Sequence, residues 1–93
     1  MTENVVQLLI LGREHDEFAV YAITTQYEGK SPVVKSHLLP INDWKSSGLH
    51  FPSFIDVGEI IYILKEYVDS APLGYLSDGD KSRLIEFLAK RGG

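Results

Sequence analysis

Short apolar runs rich in β-branched and aromatic residues most constrain what this chain can fold into. Two of them, VVQLLIL and FAVYAIT, flank the polar loop GREHDE, and a third, SFIDVGEIIYIL, follows later in the chain. Apolar runs on either side of a glycine-containing polar loop are typical of β-hairpins. The pattern therefore predicts two strands, 5–11 and 18–24, that pair as a hairpin.

The middle of the chain predicts shorter elements. SPVVKSHLLP predicts a strand over 33–37 between two prolines. PINDWKSSG contains helix-permissive residues and predicts a single helical turn. Gly58 interrupts the third apolar run, which therefore predicts two strands, 53–57 and 59–64, joined at a tight turn or bulge.

The last segment, LSDGDKSRLIEFLAKRGG, predicts a helix. Ser77 has the side chain of an N-cap residue, and acidic residues follow in the first turn, where they favour helix formation. Gly92 is placed to end the helix. The predicted apolar face consists of Leu84, Ile85, Phe87 and Leu88.

Together these elements predict a mainly β domain with a C-terminal α-helix. About five short strands would form a small, strongly bent antiparallel sheet or partly open barrel, with the helix packed outside it. We expect residues 1–93 to form a single domain, because a chain of 93 residues is long enough for one core.

Composition narrows the class of protein. Hydrophobic residues make up 44% of the chain and there is no cysteine, so we expect a globular core without disulfides. No apolar run approaches the roughly 20 residues of a membrane span, and no leader peptide is recognisable, so we expect a cytoplasmic protein without a membrane partner. The net charge of −4 argues against general nucleic-acid binding.

Charge is unevenly distributed, however. The segment 30–50 holds three lysines and two histidines against one aspartate, which indicates either a local basic patch or an ordinary solvated loop. Those residues are Lys30, Lys35, Lys45, His37, His50 and Asp43.

Motifs for known cofactors and metals are missing from the sequence. No P-loop, dinucleotide fingerprint or zinc signature occurs, so we expect no cofactor. His15, His37 and His50 are too scattered to predict a metal site, and surface positions explain them better.

The FAVYAIT run ends in three hydrogen-bonding side chains, Thr24, Thr25 and Gln26. Such side chains either cap and solvate the end of a strand or face a functional site. Trp44 also has two interpretations. The favoured one is an anchor in the core or at an interface, and the other is a platform on which a base stacks.

Three segments in order, LLILGREHDEFAVYAITTQ, INDWKSSGLHFPSFIDVGEIIYI and LGYLSDGDKSRLIEFL, resemble the PemK/MazF-type toxins of bacterial toxin–antitoxin pairs. The matching elements are the threonine strand end, the GL-x-x-PS segment and the G-x-L-S-x-x-D helix start. The resemblance covers nearly the whole chain. It implies an SH3-like barrel, a homodimer, metal-free cleavage of single-stranded RNA, and inhibition by an antitoxin peptide.

The resemblance also implies site residues. Thr24 matches the catalytic threonine, and Ser53 matches the serine of the PS segment beside the RNA groove. Metal-free cleavage needs the ribose 2′-hydroxyl to be oriented and the anionic charge to be stabilised. The implied RNA-binding residues and possible charge donors are Thr25, Gln26, Lys30, Lys35, His37, His50 and Ser53.

The sequence departs from the family at the arginine that normally stabilises charge. That position falls on Val6, and the family's first strand has no counterpart before Met1. A hairpin turn near Glu14 would pair Thr24 with Asn4 and would leave Arg13 about 20 Å from Thr24. We therefore expect cleavage to be weakened or lost, and we expect another chain to cover the exposed apolar edge.

The sequence is compatible with three functions. The first is an RNA-cleaving toxin. The second is an inactive relative that binds an antitoxin or RNA without cleaving it. The third is an SH3-like interaction domain unrelated to RNA.

Overall fold

In a computed structural model, residues 7–68 and 71–92 are described, and they form one antiparallel sheet, two helices and connecting turns. Neither helix in these ranges has the length and apolar composition needed to cross a membrane. In chain order the elements are β1 (Gln7–Glu14), β2 (Glu17–Thr24), α1 (Pro32–Lys35), β3 (Leu38–Pro40), β4 (Phe54–Leu64), a 3₁₀ turn (Lys65–Tyr67) and α2 (Asp78–Gly92).

The predicted hairpin is confirmed by β1 and β2, which pair antiparallel. The turn contains His15, whose φ of 56° lies in the left-handed region that histidine tolerates better than most residues. Gln7 pairs with Ile23 and Arg13 pairs with Phe18, with a bulge between them. The turn is later than expected, so the predicted register is wrong by two or three residues; Asn4, the predicted partner of Thr24, lies outside the described residues.

The sheet in the described ranges has four strands in the order β1-β2-β4-β3, and the prediction of five strands is not confirmed. β4 continues through Gly58 where two strands were predicted. Its pairing with β2 is irregular there, because Val20 pairs with Ile61 whereas Ala22 pairs with Asp56. The extra β4 residues form the predicted bulge, and the strand bends without ending.

The predicted strand over 33–37 is wrong. This segment forms the short helix α1, followed by a turn into β3. Ser31 is the N-cap, since its Oγ accepts the Val34 N–H at 3.2 Å, and Pro32 occupies the first turn. Proline is favoured at that position because its missing N–H has no helical partner there.

The predicted helical turn after β3 is present as a hydrogen-bonded turn. The Ser47 N–H donates to the Asp43 carbonyl, and the Leu49 N–H donates to the Trp44 carbonyl. Gly48, with a φ of 90°, ends the turn in the left-handed conformation. This arrangement is a Schellman motif, and it brings Trp44 and Leu49 to the same core.

α2 packs its apolar face against one side of the sheet. Ser77 is confirmed as the N-cap, because its Oγ accepts the Asp80 N–H at 3.1 Å. Ile85 does not belong to the buried face, since it is 68% exposed. The buried core consists of Tyr21, Leu39, Ile41, Leu49, Ile55, Val57 and Leu84. The prediction of a mainly β domain with a C-terminal helix is confirmed.

Candidate functional site

The end of β2 positions the threonine segment. Thr24 is half-buried and pairs with Phe54 of β4. Its Oγ1 accepts the Gln26 N–H at 3.1 Å, so the side chain caps the strand end. Thr25 and Gln26 are exposed. The capping bond uses an acceptor lone pair and leaves the Thr24 hydroxyl proton available for donation.

A small aromatic and cationic cluster lies next to this strand end. The rings of Tyr27 and Phe54 are stacked, with centroids 4.8 Å apart and an interplanar angle of 15°. The Lys35 ammonium lies 4.9 Å from the centroid of the Tyr27 ring. This cation–π contact holds a positive charge beside the segment that follows Thr24. The Tyr27 ring is thus already engaged by Phe54 and Lys35.

Lys30 enters the same loop through a tight turn. Its N–H donates to the Tyr27 carbonyl at 3.2 Å, and Gly29 between them has a φ of 81°. A glycine with positive φ at this position is typical of a type II turn. The side chain of Lys30 is exposed. Lys30 and Lys35 are thus the two lysines that the structure brings to the loop after β2.

His37 and His50 have different surroundings. His37 is half-buried, and its Nδ1 lies 2.6 Å from a guanidinium nitrogen of Arg91 in α2. His50 is exposed in the loop before β4. The histidine nearest to α1 is thus already engaged with the C-terminal helix.

Ser53 occupies a buried position. It is 3% exposed, and its Oγ donates to the Phe51 carbonyl at 2.7 Å. Its own carbonyl accepts the Ile41 N–H. These two bonds tie the loop before β4 to the end of β3, and they account for a serine at this position without a ligand.

The sequence did not reveal the main polar network of the domain, which is centred on Asp80. Its carboxylate accepts the backbone N–H groups of Asn42 at 3.0 Å and Asp43 at 2.9 Å. Arg83 donates to the same carboxylate at 2.9 Å and to the Pro40 carbonyl at 3.0 Å. The first turn of α2 is thereby fixed to the chain that leaves β3.

This network determines the charge state of Asp80. Burial raises the pKa of this carboxyl, but the hydrogen bonds from the Asp43 and Asn42 backbone and from Arg83 outweigh burial. The pKa of Asp80 is therefore lowered from its usual 3.8. The carboxylate is charged at neutral pH and neutralises Arg83.

The hydrogen bonds of the three arginines within the described residues go to groups other than Thr24. Arg13 pairs with Phe18, six residues from Thr24 along β2, or about 20 Å at the rise of a strand, as predicted. Arg83 is nearer, beside Pro40, but Asp80 compensates its charge. Arg91 bonds to Ser36 and His37. Val6, the position at which the sequence was expected to hold an arginine, lies outside the described residues.

A separate apolar cleft of about 720 Å³ lies between β1 and the segment before α2. Leu9, Leu49 and Leu73 contribute to its lining, and Lys81 adds a charge. Ser47, another lining residue, already donates its hydroxyl to the Asp43 carbonyl. The described part of its lining is mostly apolar.

No group of three or more His, Asp or Glu side chains within residues 7–68 and 71–92 is arranged to hold a metal ion.

Comparison with protein-family models, with curated proteins and with solved structures finds no match to this chain.

Proposed function

We propose that this domain is a PemK/MazF-like, toxin-type protein of the cytoplasm that binds single-stranded RNA at the loop after β2. On this proposal the sheet belongs to an SH3-like fold, and cleavage of the RNA is weak or lost. Thr24 takes the catalytic position, with Thr25, Gln26, Lys30 and Lys35 as the adjoining contacts. His37, His50 and Ser53 remain assigned to the RNA surface through the family resemblance alone.

One observation carries the proposal: the three sequence segments that resemble the family lie against one another. The threonine strand end is joined to the segment after PS, because Thr24 pairs with Phe54. The helix start LSDGD is joined to the turn before GL, because Asp80 accepts the Asn42 and Asp43 N–H groups. Segments that are far apart in the sequence are thus in contact in the fold. A chance similarity of separate motifs would not require these contacts.

The charges around Thr24 support binding more than cleavage. Lys30 and Lys35 provide positive charge for phosphates beside the exposed Thr25 and Gln26. A lysine ammonium is a point charge and lacks the planar fork with which arginine holds a phosphate in two bonds. Such a site holds an RNA backbone better than it stabilises the charge of a cleavage transition state.

The proposal is tested by binding of a fluorescent single-stranded RNA, followed by anisotropy at low salt. Lys35→Ala should raise Kd at least about fivefold, which corresponds to about 1 kcal/mol. Lys65→Ala is the matched control, because Lys65 is an exposed lysine that pairs with Asp16 at 3.7 Å at the other end of the sheet. Absence of binding, or an equal effect of the two variants, contradicts the proposal.

Cleavage is tested separately by incubating a long RNA with the protein in a chelator and mapping new ends. We expect few or no new ends. Any that do form should disappear in Thr24→Ala and persist in Thr25→Ala, since only Thr24 takes the catalytic position. Efficient cleavage that survives Thr24→Ala would contradict both the assigned residue and the expected weakness.

The second candidate is a protein-binding module, and a different observation favours it. Within the described residues β1 pairs on one side only, and its residues Ile10 and Leu11 are 46% and 42% exposed. An open apolar edge of this kind is a template for pairing with a strand of another chain. A second copy of the chain is the simplest occupant, and an antitoxin peptide is the alternative.

A further inference from the structure

The last turn of α2 holds the end of α1 through one guanidinium. Arg91 donates to the Ser36 carbonyl at 2.9 Å, and its second terminal nitrogen lies 2.6 Å from His37 Nδ1. The guanidinium also lies over the Phe87 ring, 5.6 Å from its centroid. Ser36 caps the end of α1, so these contacts join the two helices directly.

The chemistry of this contact requires one protonation state. A guanidinium has donors and no acceptor, so the bond forms only if His37 Nδ1 is an acceptor. The imidazole is then neutral and carries its proton on Nε2. A protonated imidazole has donors on both nitrogens, and it would place two cations in contact.

Other charged groups near the His37 imidazole determine how its contact with Arg91 responds to protonation. Asp56 of β4 is one of these groups, because its carboxylate and the His37 ring both lie close to Gly58. The Asp56 Oδ1 is 3.1 Å and the His37 ring is 3.2 Å from the position that a Cβ on Gly58 would occupy. On α1, the Lys35 ammonium is directed to the Tyr27 ring. A carboxylate near the imidazole therefore offers the protonated form a partner once Arg91 has withdrawn.

We propose that His37 and Arg91 form a proton-sensitive clasp between α1 and the last turn of α2. The clasp is closed while His37 is neutral. Protonation of the imidazole converts the acceptor into a donor and opens the clasp. The inference goes beyond RNA binding and depends on the described contacts alone.

The test is an NMR titration of the full chain from pH 8 to pH 5. The backbone amide signals of Ser36 and of residues 88–91 should shift together with the His37 imidazole signal. In Arg91→Gln the response of the 88–91 amides should fall by at least half, because no guanidinium remains to be displaced. His50→Asn is the matched control, and it should leave the coupled response intact because His50 is exposed in another loop.

His37→Asn gives a second, independent outcome. Asparagine accepts a hydrogen bond at every pH in this range, so the amides of 88–91 should become insensitive to pH. Persistence of their shifts in this variant, or shifts in the wild type that do not follow the His37 imidazole, would overturn the proposal.

Discussion

Asp80 shows how one residue connects local and tertiary structure. Its own N–H bonds to the N-cap Ser77, as helix starts require, and its carboxylate bonds to Asn42 and Asp43 almost forty positions earlier in the chain. It is 2% exposed and paired with Arg83. A buried, fully bonded carboxylate of this kind fixes the relation between two elements, and its loss leaves several donors unsatisfied.

Replacing Asp80 by asparagine should cost about 3 kcal/mol of unfolding free energy, measured by urea denaturation at pH 7. Arg83 would lose its counter-charge, and one of the two backbone N–H groups would face an amide NH2 in place of an acceptor. Asp78→Asn is the matched control, because Asp78 is exposed in the same helical turn. It should cost less than about 1 kcal/mol, the value of its interaction with the helix dipole. Equal losses would show that the network contributes nothing.

The lowered pKa of Asp80 predicts how the stability of the fold changes in acid. The pKa of Asp80 is lowered in the folded state from 3.8, so its stabilising effect is complete above that pH and is lost as the pH falls through the folded-state value. The stability difference between wild type and Asp80→Asn should therefore shrink below about pH 4. Urea midpoints of both proteins from pH 7 to pH 2.5 measure it. A difference that stays constant in acid would contradict the lowered pKa.

At the scale of elements, two loops meet through glycines. A Cβ on Gly48 would lie 2.3 Å from the Leu73 carbonyl oxygen, and one on Gly74 would lie 2.3 Å from the Ser47 carbonyl oxygen. Gly48 also has a φ of 90° as the residue that ends the turn after β3. The backbones of this turn and of the segment before α2 therefore approach closely, and only glycine fits on either side.

Gly48→Ala should destabilise the fold by at least about 3 kcal/mol, because it combines a left-handed backbone with a backbone clash. Gly29→Ala separates the two causes. Gly29 has a φ of 81°, but a Cβ added there would have no neighbouring atom within 4 Å, so this variant should cost about 1 to 2 kcal/mol. Thermal or urea unfolding measures both. If the two variants lost the same stability, the close approach of the loops would be unimportant.

At the scale of the whole molecule, exposed apolar side chains are spread over the described surface, and the outer strand β1 carries two of them. Ile10 and Leu11 of β1 and Tyr62 of β4 are 46%, 42% and 59% exposed. A strand edge with such neighbours favours pairing with another chain. The proposed homodimer would place this edge between two copies.

Ile10→Lys should therefore weaken self-association, with a dimer dissociation constant at least about tenfold higher by sedimentation velocity. Val33→Lys is the control, because Val33 is 69% exposed on α1, away from β1. A wild-type protein that stays monomeric over the accessible concentration range would exclude the homodimer. An equal effect of the two lysines would show that the interface lies elsewhere or that charge alone is responsible.

Local patterns accounted for the hairpin, the helical turn before Gly48 and the start of α2. Alternating or periodic apolar residues and capping side chains act within a few positions, so these elements could be predicted. The prediction of a strand over 33–37 is wrong because the helix start at Ser31 and Pro32 outweighs the β preference of the two valines. The division of β4 failed because neighbouring strands hold Gly58 in a bulge, which a single strand's sequence does not show.

For the candidate site, the sequence identified Thr24, Thr25, Gln26, Lys30 and Lys35, which lie at or beside the end of β2. It did not identify the contacts of Arg83 and Arg91. Arg83 bonds to Pro40, more than forty residues away, and Arg91 contacts Ser36 and His37, more than fifty residues away. The burial of Ser53 was equally hidden. A serine after proline resembles an exposed turn residue until the elements around it are in place.

The amino-acid sequence by itself determined which segments are strands and helices over most of the chain, and that a C-terminal helix begins at Ser77. Short-range spacing of apolar, capping and turn residues is sufficient for that. Only the tertiary structure decided that the Asp80 carboxylate bonds to Asn42 and Asp43, that Arg91 reaches His37, and that Thr24 has no free guanidinium beside it among the described residues. Those relations depend on how the sheet bends and where α2 packs, which is set by contacts between residues far apart in the chain.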